Sequence, residues 1–490
     1  MRCIFGLNRY IIGGFGKWQW LRCKSSFLGL VRILKYSVRV LLFCVFKSES
    51  LNIGDRVKTV KVGIVGLGTV GGGALNLLQA NAAEISRRTG HDIVVTHVGA
   101  RRDYPQYNLT NITISRDIFA VVNDPNVDIV VEVIGGTTTA RELVLQAIAN
   151  GKHVVTANKA LLAQYGNEIF AAAEAKGVFV AFEAAVAGGV PIIKVLREGL
   201  AGNRIDWLAG IINGTGNFIL TEMREKGRDF ADVLQEAQAL GYAEADPTFD
   251  VEGIDAAHKL TILASLAFGI PLQFDKVYTE GITKLTRDDV SYAEELGFRI
   301  KHLGVARRTP DGIELRVHPT LIPQERLIAN VNGVKNAVLV QSDAVGSTLY
   351  YGAGAGAGAT GSAVVADIVD IVRALSLENA SGVPHLAFQP DSLADTPILP
   401  VEAIKTAYYL RLQANDKSGV LADVTRILSQ NGISIEAILQ KPAHEAGTVP
   451  VIILTKPVIE REMNCAISGL EALADIVAPV VRIRLEALDA

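Results

Sequence analysis

The chain has 490 residues, of which 49% are hydrophobic, and a formal net charge of −3. This length is enough for two to four domains with substantial cores. Because no basic excess is present, a nucleic-acid-binding surface is not expected. Three of the four cysteines precede residue 51, and only Cys465 lies in the body of the chain. A disulfide framework or a cysteine-based zinc site is therefore excluded there, and a cytoplasmic protein is expected.

The first 55 residues differ in composition from the rest of the chain. They are rich in Lys and Arg, and the only acid before residue 51 is Glu49. The apolar stretch Leu28–Phe46 is interrupted by three basic residues, so no membrane-spanning helix or signal peptide is predicted. A targeting segment, a membrane-surface arm or sequence upstream of a misassigned start could explain this extension. The abrupt onset of the folded pattern at Val57 favours the misassigned start.

A glycine-rich turn follows the first predicted strand. The stretch Lys61–Gly73 reads KVGIVGLGTVGGG, in which apolar residues precede glycines spaced G-x-G-x-x-G. Such a turn leads from a buried strand into a helix, and its glycines admit a pyrophosphate and allow close helix–strand packing. The unpaired amides at the helix N-terminus favour the phosphates. The predicted dinucleotide-binding residues here are Gly66, Gly68, Thr69, Val70 and Gly71.

Strands then alternate with helices as far as about Phe182. The predicted strands are Val62–Val65, Ile93–Val98, Ile129–Glu132, His153–Thr156 and Val178–Phe182. The predicted helices are Gly72–Ser86, Thr139–Ala149 and Lys159–Ala175. This alternation predicts an α/β domain with a Rossmann-type, doubly wound parallel sheet. The ligand crevice of such a sheet lies at the carboxyl ends of its strands.

The residues after these strands indicate the cofactor. No acid that could hold a ribose 2′-hydroxyl follows the second strand before Asp103, whereas Arg101 and Arg102 could hold a 2′-phosphate. This favours NADP, with NAD also possible, although both arginines could simply be solvated. The third strand leads into a small-residue turn that ends at Thr137. The fourth is followed by Lys159, which is expected at the mouth of the crevice.

The pattern changes to α+β after residue 190. Trp207–Ile212 and Ile313–Pro319 are predicted strands, and amphipathic helices surround them, which suits a substrate-binding or dimerisation domain. The run Gly352–Gly361 reads GAGAGAGATG and is expected to be too flexible for a regular element. It is interpreted as a loop that closes over the cofactor, with Gly356 in contact, before a predicted helix at Ser362–Ala374.

The last part of the chain predicts a separate small module. Ala387–Pro400 is rich in Pro, Asp and Ser and is interpreted as a linker. The elements beyond it trace βαββαβ, a ferredoxin-like module: Tyr408–Gln413, Val420–Gln430, Ile433–Gln440, Val449–Thr455, Ile459–Leu473 and Val477–Leu485. The expected division of the chain is 1–55, 56–190, 191–386, 387–404 and 405–490.

The segment Gly241–Phe268 is the predicted substrate site. Acids are concentrated around a proline and precede a helix whose C-terminal half is wholly apolar. Asp255 and Lys259 are spaced i,i+4 and therefore share a face of this helix. A charged pair at the rim of a buried helix suits a site, although such a pair could equally be solvated.

Six motifs then identify a family. From about Thr59 to Ala490 the chain resembles bacterial homoserine dehydrogenases that carry a C-terminal ACT domain. The matching motifs are KVGIVGLGTVGGG, HVVTANKALLA, FEAAVAGGVPII, INGTGNFIL, GYAEADPTFDVEGIDAAHKLTILA and LRLQANDKSGVLADVT. Their order over most of the chain makes the resemblance specific.

The resemblance implies a reaction and the residues that perform it. The family interconverts L-homoserine and L-aspartate 4-semialdehyde by hydride transfer with NAD(P). Lys259 matches its general acid/base, and Lys159 a second lysine that polarises the reacting oxygen. Asp255 matches the aspartate beside the catalytic lysine. Substrate-binding residues implied by the match are Glu244, which grips the amino group, Asp250, Asn213, Gly214 and Thr215.

The resemblance also implies a cation, an effector and self-association. The loop EAAVAGGV matches a monovalent cation site, expected to hold sodium, whose ligands are the Glu183 carboxylate and the backbone carbonyls of Val186, Gly188 and Val190. The ACT domain implies feedback by L-threonine at the turn Asn415–Leu421, although a structural or dimerising role is an alternative. A homodimer or homotetramer is expected.

Two departures from the family and three rival functions complete the prediction. The family has a proline where Ser418 stands, and another proline after its glycine run that this chain lacks. Aspartate-semialdehyde dehydrogenase needs a nucleophilic thiol, but no cysteine lies between Cys44 and Cys465. A catalytically silent amino-acid sensor would not need both lysines and both site carboxylates. The 55-residue extension is too short for an aspartate kinase.

Overall fold

The computed structural model describes residues 58–376, 383–442 and 447–489. The expectations for the first 55 residues lie outside this range. Among the described residues, no helix combines the length and apolar character needed to cross a membrane.

A six-stranded parallel sheet forms the first domain. Its strands are β1 (Lys58–Val65), β2 (His91–Gly99), β3 (Thr113–Ser115), β4 (Ile129–Glu132), β5 (His153–Thr156) and β6 (Val180–Ala181). They lie in the order β3-β2-β1-β4-β5-β6, and every neighbouring pair is parallel. This strand order is that of the dinucleotide-binding Rossmann fold. The predicted fold class is therefore confirmed.

Helices cover both faces of this sheet. They are α1 (Thr69–Ala80), α2 (Ala82–Thr89), α3 (Phe119–Asn123), α4 (Thr138–Ala149) and α5 (Lys159–Lys176). The single helix predicted at Gly72–Ser86 is wrong in its extent, because Asn81 leaves the helical conformation (φ −108°, ψ 16°) and separates α1 from α2. Asn disfavours helix interiors because its side chain competes for backbone hydrogen bonds. The strand predicted at Val178–Phe182 is reduced to the short β6.

The second domain contains an antiparallel sheet and several helices. Its elements are α6 (Ile192–Lys194), β7 (Ile205–Ile211), α7 (Gly214–Lys226), α8 (Phe230–Ala239), α9 (Thr248–Val251), α10 (Ile254–Phe268), β8 (Tyr278–Thr279), α11 (Arg287–Glu295), β9 (Phe298–Thr309), β10 (Gly312–Pro323), β11 (Lys335–Ser342), β12 (Gly346–Ala353) and α12 (Ala357–Leu375). The sheet runs in the order β12-β11-β7-β9-β10. Strands β8, β9, β11 and β12 are not predicted from the sequence.

Most of the glycine/alanine run forms regular structure, so the prediction of a flexible loop over all of Gly352–Gly361 is wrong in its extent; residues 354–356 connect a strand to a helix. Strand β12 ends at Ala353 and α12 begins at Ala357. The side chains of this run are small because α12 lies directly against α1. A Cβ on Gly73 would lie 2.1 Å from the Ala357 carbonyl oxygen, and one on Gly361 would lie 2.8 Å from the Ala74 nitrogen. These glycines therefore permit close helix packing.

The third domain has the predicted ferredoxin-like order. Its elements are β13 (Lys405–Asn415), α13 (Val420–Gln430), β14 (Ile435–Gln440), β15 (Thr448–Thr455), β16 (Val458–Ile459), α14 (Glu460–Glu471) and β17 (Val481–Leu485). Its four main strands lie in the order β17-β13-β15-β14. Strand β17 also pairs with β10 of the second domain, at Thr320 with Arg484 and Leu321 with Leu485. The two domains therefore share one continuous sheet.

Buried ion pairs reinforce this junction. Arg484 is 1% exposed, and its Nε donates to Glu460 of the third domain at 2.8 Å. Its Nη1 donates to Glu280 of the second domain at 2.7 Å. On β10, the buried Arg316 pairs with Glu486 at 2.7 Å. Buried charges need such partners, so each domain supplies charges that the other neutralises.

Replacing Arg484 with Met should strongly destabilise this junction. The change leaves Glu460 and Glu280 without this cation in a buried place, which is expected to lower the free energy of unfolding by about 3–5 kcal/mol. Denaturant unfolding of the full chain would measure it. Arg426→Met is the matched control, because Arg426 pairs with Asp423 at an exposed site and should change stability by less than about 0.5 kcal/mol. Equal losses for both variants would contradict the role of Arg484.

Candidate active site

A cleft of about 570 Å³ lies between the first two domains. Its walls come from the first turn of α1, the start of α5, the start of α7, the loop before α9, and the ends of β11 and β12. The lining residues are Thr69, Lys159, Asn213, Gly214, Thr215, Gly241, Tyr242, Ala243, Glu244, Asp250, Asp255, Lys259, Val334, Lys335, Asn336, Ala353, Gly354, Ala355 and Gly356. The cleft thus brings together the predicted catalytic and substrate-binding residues.

The Asp255 carboxylate lies at the centre of the charged residues. Its Oδ2 accepts a hydrogen bond from Lys259 Nζ at 2.6 Å, and its Oδ1 lies 3.4 Å from Lys159 Nζ. Lys259 Nζ also donates to the carbonyl oxygen of Ile212 at 2.7 Å. Asp255 is 4% exposed, so the alternative of a solvated Asp255–Lys259 pair is wrong. The apolar C-terminal half of α10 places this pair inside the protein.

The electrostatics of the three groups depend on one another. Burial alone would raise the pKa of Asp255, but Lys259 and Lys159 overcome this and hold the pKa at about 2. Burial lowers the pKa of Lys259 below its usual value, as does the charge of Lys159, while Asp255 opposes this shift. Asp255 is therefore ionised across the neutral range, and Lys259 loses its proton more readily than an exposed lysine.

Asn213 connects these charges to α7. Its Oδ1 accepts from the Gly216 amide at 2.7 Å and caps the helix. Its Nδ2 donates to Asp250 and to Asp255, both at 2.8 Å. One side chain therefore fixes the start of α7 relative to two carboxylates. Burial raises the pKa of Asp250, and the bond from Asn213 opposes that rise.

The remaining predicted substrate residues also line the cleft. Glu244 is exposed, and among the described residues its carboxylate has no hydrogen-bond partner. Thr215 Oγ1 donates to the carbonyl oxygen of Tyr242 at 2.6 Å, which holds the loop that carries Glu244. A Cβ on Gly214 would lie 3.0 Å from the Val334 carbonyl oxygen. The cleft lining thus offers the Glu244 carboxylate to a ligand.

The glycine turn has the geometry expected of a phosphate-binding loop. Gly66 has φ +100°, and a Cβ on it would lie 2.7 Å from the Val133 carbonyl oxygen. A Cβ on Gly71 would lie 2.0 Å from the Gly66 carbonyl oxygen, so strand and helix approach too closely for a side chain there. Gly68 has open space beside it. A phosphate could therefore approach the backbone at Gly68 and the N-terminus of α1, where Thr69 and Val70 begin the helix.

A hollow of about 300 Å³ lies between this turn and the ends of β4 and β5. Gly135 and Gly136 line it with left-handed backbones, and Thr137 follows them as the N-cap residue of α4. Asn158 caps α5 through its Oδ1, and its Nδ2 donates to the Gly136 carbonyl oxygen at 2.7 Å. Lys159 lines both this hollow and the larger cleft. A ring bound in the hollow would therefore lie beside Lys159.

A third hollow, of about 220 Å³, lies beside the end of β2. Arg101 and Arg102 are both exposed, and Arg102 lies over the Tyr104 ring at 5.2 Å and lines the hollow. Arg116 is a cation that the sequence prediction missed. It donates to the Ala100 carbonyl oxygen at 3.0 Å and forms an ion pair with Asp103. Asp103, which lines the hollow, is thus already paired with a cation.

The predicted cation loop follows β6. Ala187 and Gly188 have positive φ values of 54° and 47°, which turns the backbone tightly. The Glu183 carboxylate accepts from the Ile193 and Lys194 amides at 2.9 and 2.8 Å, and burial raises its pKa to about 7. The loop therefore combines a buried carboxyl with carbonyls in a tight turn. In the described part of the chain, no group of three or more His, Cys, Asp or Glu side chains could hold a metal.

Several site residues could not be found from sequence patterns alone. Glu132, at the end of β4, is fully buried and accepts from Thr156 Oγ1 at 2.7 Å, and burial raises the pKa of its carboxyl. Arg116 and Asn336 lie outside the quoted motifs, and Asn158 lies within HVVTANKALLA, but the sequence predicts no role for it. Their positions depend on contacts between distant parts of the chain.

The parallel sheet with its glycine turn, and the lysines at its carboxyl edge, define a nicotinamide-dependent oxidoreductase. Family models agree over most of the chain. The model described as "Homoserine dehydrogenase, NAD binding domain" matches residues 66–183, "Homoserine dehydrogenase" matches 191–369, and "ACT domain" matches 408–460.

Comparison with individual proteins indicates the same family. The chain is 68% identical over 434 residues to a homoserine dehydrogenase of Pseudomonas aeruginosa, covering 88% of this chain and 100% of that protein. A crystal structure of a homoserine dehydrogenase from Thiobacillus denitrificans is 64% identical, with a TM-score of 0.85 over 88% of this chain and 99% of that one. A hyperthermophilic archaeal homoserine dehydrogenase in complex with NADPH is 27% identical, with a TM-score of 0.54, over 66% and 99%.

The chain belongs to the homoserine dehydrogenase family, whose members are NAD(P)-dependent oxidoreductases acting on a CH–OH group. The predicted family, fold class and enzyme class are thereby confirmed, as is the presence of an ACT domain. A nicotinamide cofactor is supported, without a choice between NADP and NAD.

Proposed function

We propose that this chain interconverts L-homoserine and L-aspartate 4-semialdehyde in the cleft between its first two domains. The observation that carries the proposal is the Asp255 carboxylate, which holds the two lysines, Lys159 and Lys259, together in the cleft. The first domain would bind the cofactor and the second the substrate, as the predicted division of the chain has it.

Lys259 would move the proton of the reacting hydroxyl. In the oxidation direction the hydroxyl proton passes to Lys259 Nζ, while the hydride from the same carbon passes to the nicotinamide. A lysine with a lowered pKa is a better base near neutral pH. In the reverse direction the ammonium groups of Lys259 and Lys159 stabilise the negative charge that develops on the carbonyl oxygen.

The other wall of the cleft would hold the amino-acid end of the substrate. The Glu244 carboxylate is open to the cleft and suits the ammonium group of homoserine. Asp250, fixed by Asn213, lies on the same side of the charged cluster. The backbone at Gly214 and Thr215 would form the floor between substrate and nicotinamide.

Lys259→Ala should abolish most turnover while leaving ligand binding intact. Removing a positioned general acid/base is expected to lower kcat for homoserine oxidation by about 100- to 10,000-fold. Steady-state kinetics would measure the loss, and quenching of protein fluorescence by NADPH would show that the cofactor still binds. Lys276→Ala, on a short helical turn outside the cleft, is the matched control. A Lys259→Ala variant with near-parental turnover would exclude the proposed role.

NADP would be the preferred cofactor. Arg102 faces the hollow where the 2′-phosphate is expected, and Arg116 neutralises Asp103, which would otherwise repel that phosphate. Arg101 is available on the same turn.

Arg102→Ala should therefore lower kcat/KM for NADP by about 10- to 100-fold, since it removes a charge-assisted contact. The value for NAD, which lacks the 2′-phosphate, should change by less than about 3-fold. Arg87→Ala, an exposed arginine on α2 that pairs with Glu84, controls for the loss of a charge. Equal losses with both cofactors would show that Arg102 does not select the phosphate.

A sodium ion would be held by the loop after β6. The buried Glu183 carboxylate and the carbonyls of Val186, Gly188 and Val190 supply hard oxygen donors in a tight turn. Because the Glu183 oxygens already accept two amide bonds, the carbonyls would make most of the contacts. A melting temperature that is unchanged when sodium is replaced by a large organic cation would exclude this site.

The ACT domain would make the enzyme sensitive to L-threonine. The turn Asn415–Leu421 ends at the start of α13, whose N-cap Gly419 has φ +99° and leaves backbone amides available to a carboxylate. Calorimetric titration that finds no threonine binding would exclude the effector. We further propose a homodimer or homotetramer in the cytoplasm, and light scattering would contradict self-association if it finds a monomer.

A further inference from the structure

Asn336 is a buried polar residue in the cleft that none of the proposed roles uses. It lies on β11, opposite Gly352 of β12, and is 1% exposed. It nevertheless lines the active-site cleft. Its Oδ1 is shielded from solvent and has no hydrogen-bond partner within residues 58–376, 383–442 and 447–489. Buried amide oxygens nearly always accept a hydrogen bond, so this one calls for a partner.

Two glycines of the cleft lining lie next to this oxygen. A Cβ on Gly354 would lie 2.2 Å from Asn336 Oδ1, so the amide fills the space that the missing side chain leaves. A Cβ on Gly214 would lie 3.7 Å from the same oxygen. Asn336 Oδ1 therefore lies between the start of α7 and the turn that connects β12 to α12. Both of these segments border the cleft.

A network of buried side chains holds the backbone that precedes Asn336. Asn217 Nδ2 donates to the carbonyl oxygens of Gly333 at 2.8 Å and Lys335 at 3.3 Å. Lys301 Nζ donates to Asn217 Oδ1 at 3.1 Å and to the Val331 carbonyl oxygen at 2.6 Å. Residues 331–335 are thus hydrogen-bonded to α7 and β9, and Asn336 is held in place before any ligand binds. Preorganised polar groups of this kind orient ligands in apolar clefts.

We propose that Asn336 is a ligand-binding residue, whose side-chain oxygen accepts a hydrogen bond from an N–H group of the bound ligand. The inference rests on the proposed function, which supplies two such donors: the carboxamide of the nicotinamide and the ammonium group of homoserine. A buried acceptor without a partner among the described residues discriminates strongly against analogues that lack the donor.

The test compares ligands with and without each donor. In the 3-acetylpyridine analogue of NADP a methyl ketone replaces the carboxamide, and 4-hydroxybutanoate is homoserine without its amino group. For each ligand, the ratio of kcat/KM for the natural compound to that for its analogue is measured in the parent and in Asn336→Ala. For the ligand that Asn336 contacts, the ratio should fall by about 10- to 100-fold in the variant. The ratio for the other ligand should stay within about 3-fold.

Two further variants separate contact from structure. Asn336→Asp keeps an acceptor oxygen in nearly the same place and should retain the parental ratio. Gln341→Ala, on the same strand but outside the cleft, should leave both ratios unchanged. If the Ala variant does not fold, as judged by its unfolding midpoint, Asn336→Leu supplies a side chain of similar volume.

The outcomes distinguish the possible sources of the N–H group. A fall confined to the cofactor pair places the contact at the nicotinamide carboxamide, and a fall confined to the substrate pair places it at the ammonium group. Ratios that stay unchanged for both pairs in Asn336→Ala would overturn the inference. A parent that does not oxidise homoserine with either cofactor would instead overturn the proposed function.

Discussion

The site depends on one buried carboxylate that cannot remain without its cations. Asp255 is 4% exposed, and an ionised carboxyl in such a place is tolerated only when cations and donors surround it. Lys259 comes from the same helix, Lys159 from the first domain, and Asn213 from the end of β7. The carboxylate therefore fixes the relative position of three parts of the chain. The lysines needed for proton transfer are held together by the same contacts.

The surrounding structure keeps this cluster in place. The C-terminal half of α10 is wholly buried, so the helix cannot turn Asp255 toward solvent. At the other end of the chain, the ACT domain extends the sheet of the second domain through β17 and β10. Its residue Arg484 pairs with Glu280 of the second domain. Two residues after Glu280, the Ile282 amide donates to the carbonyl oxygen of Val251, the last residue of α9, at 2.9 Å. The regulatory and catalytic parts of the chain thus form one connected structure.

Local patterns were sufficient to predict part of this architecture. The glycine spacing after β1 and the alternation of strands and helices predict the Rossmann domain, because both signals come from residues close in sequence. The spacing of Asp255 and Lys259 predicts that they share a helix face. Nothing local predicts that Lys159 meets them, and only the resemblance to a family placed it there. Strand β9 escapes pattern reading because the buried Lys301 interrupts its apolar residues, and partners distant in sequence hold that side chain in place. The structure of the glycine run is mispredicted because its small residues allow a contact between α1 and α12, which are distant in sequence.

The measurement that most directly tests the central role of Asp255 is the pH dependence of kcat for homoserine oxidation in the parent and in Asp255→Asn. Asp255 stabilises the ammonium form of Lys259, so its removal should lower the pKa of Lys259 further. The rise of activity with pH, which follows the loss of the Lys259 proton, should therefore shift to lower pH in the variant. Asp246→Asn, which removes the same charge from an exposed loop, should leave the profile in place. A profile that is unchanged in Asp255→Asn, or that moves to higher pH, would contradict the account.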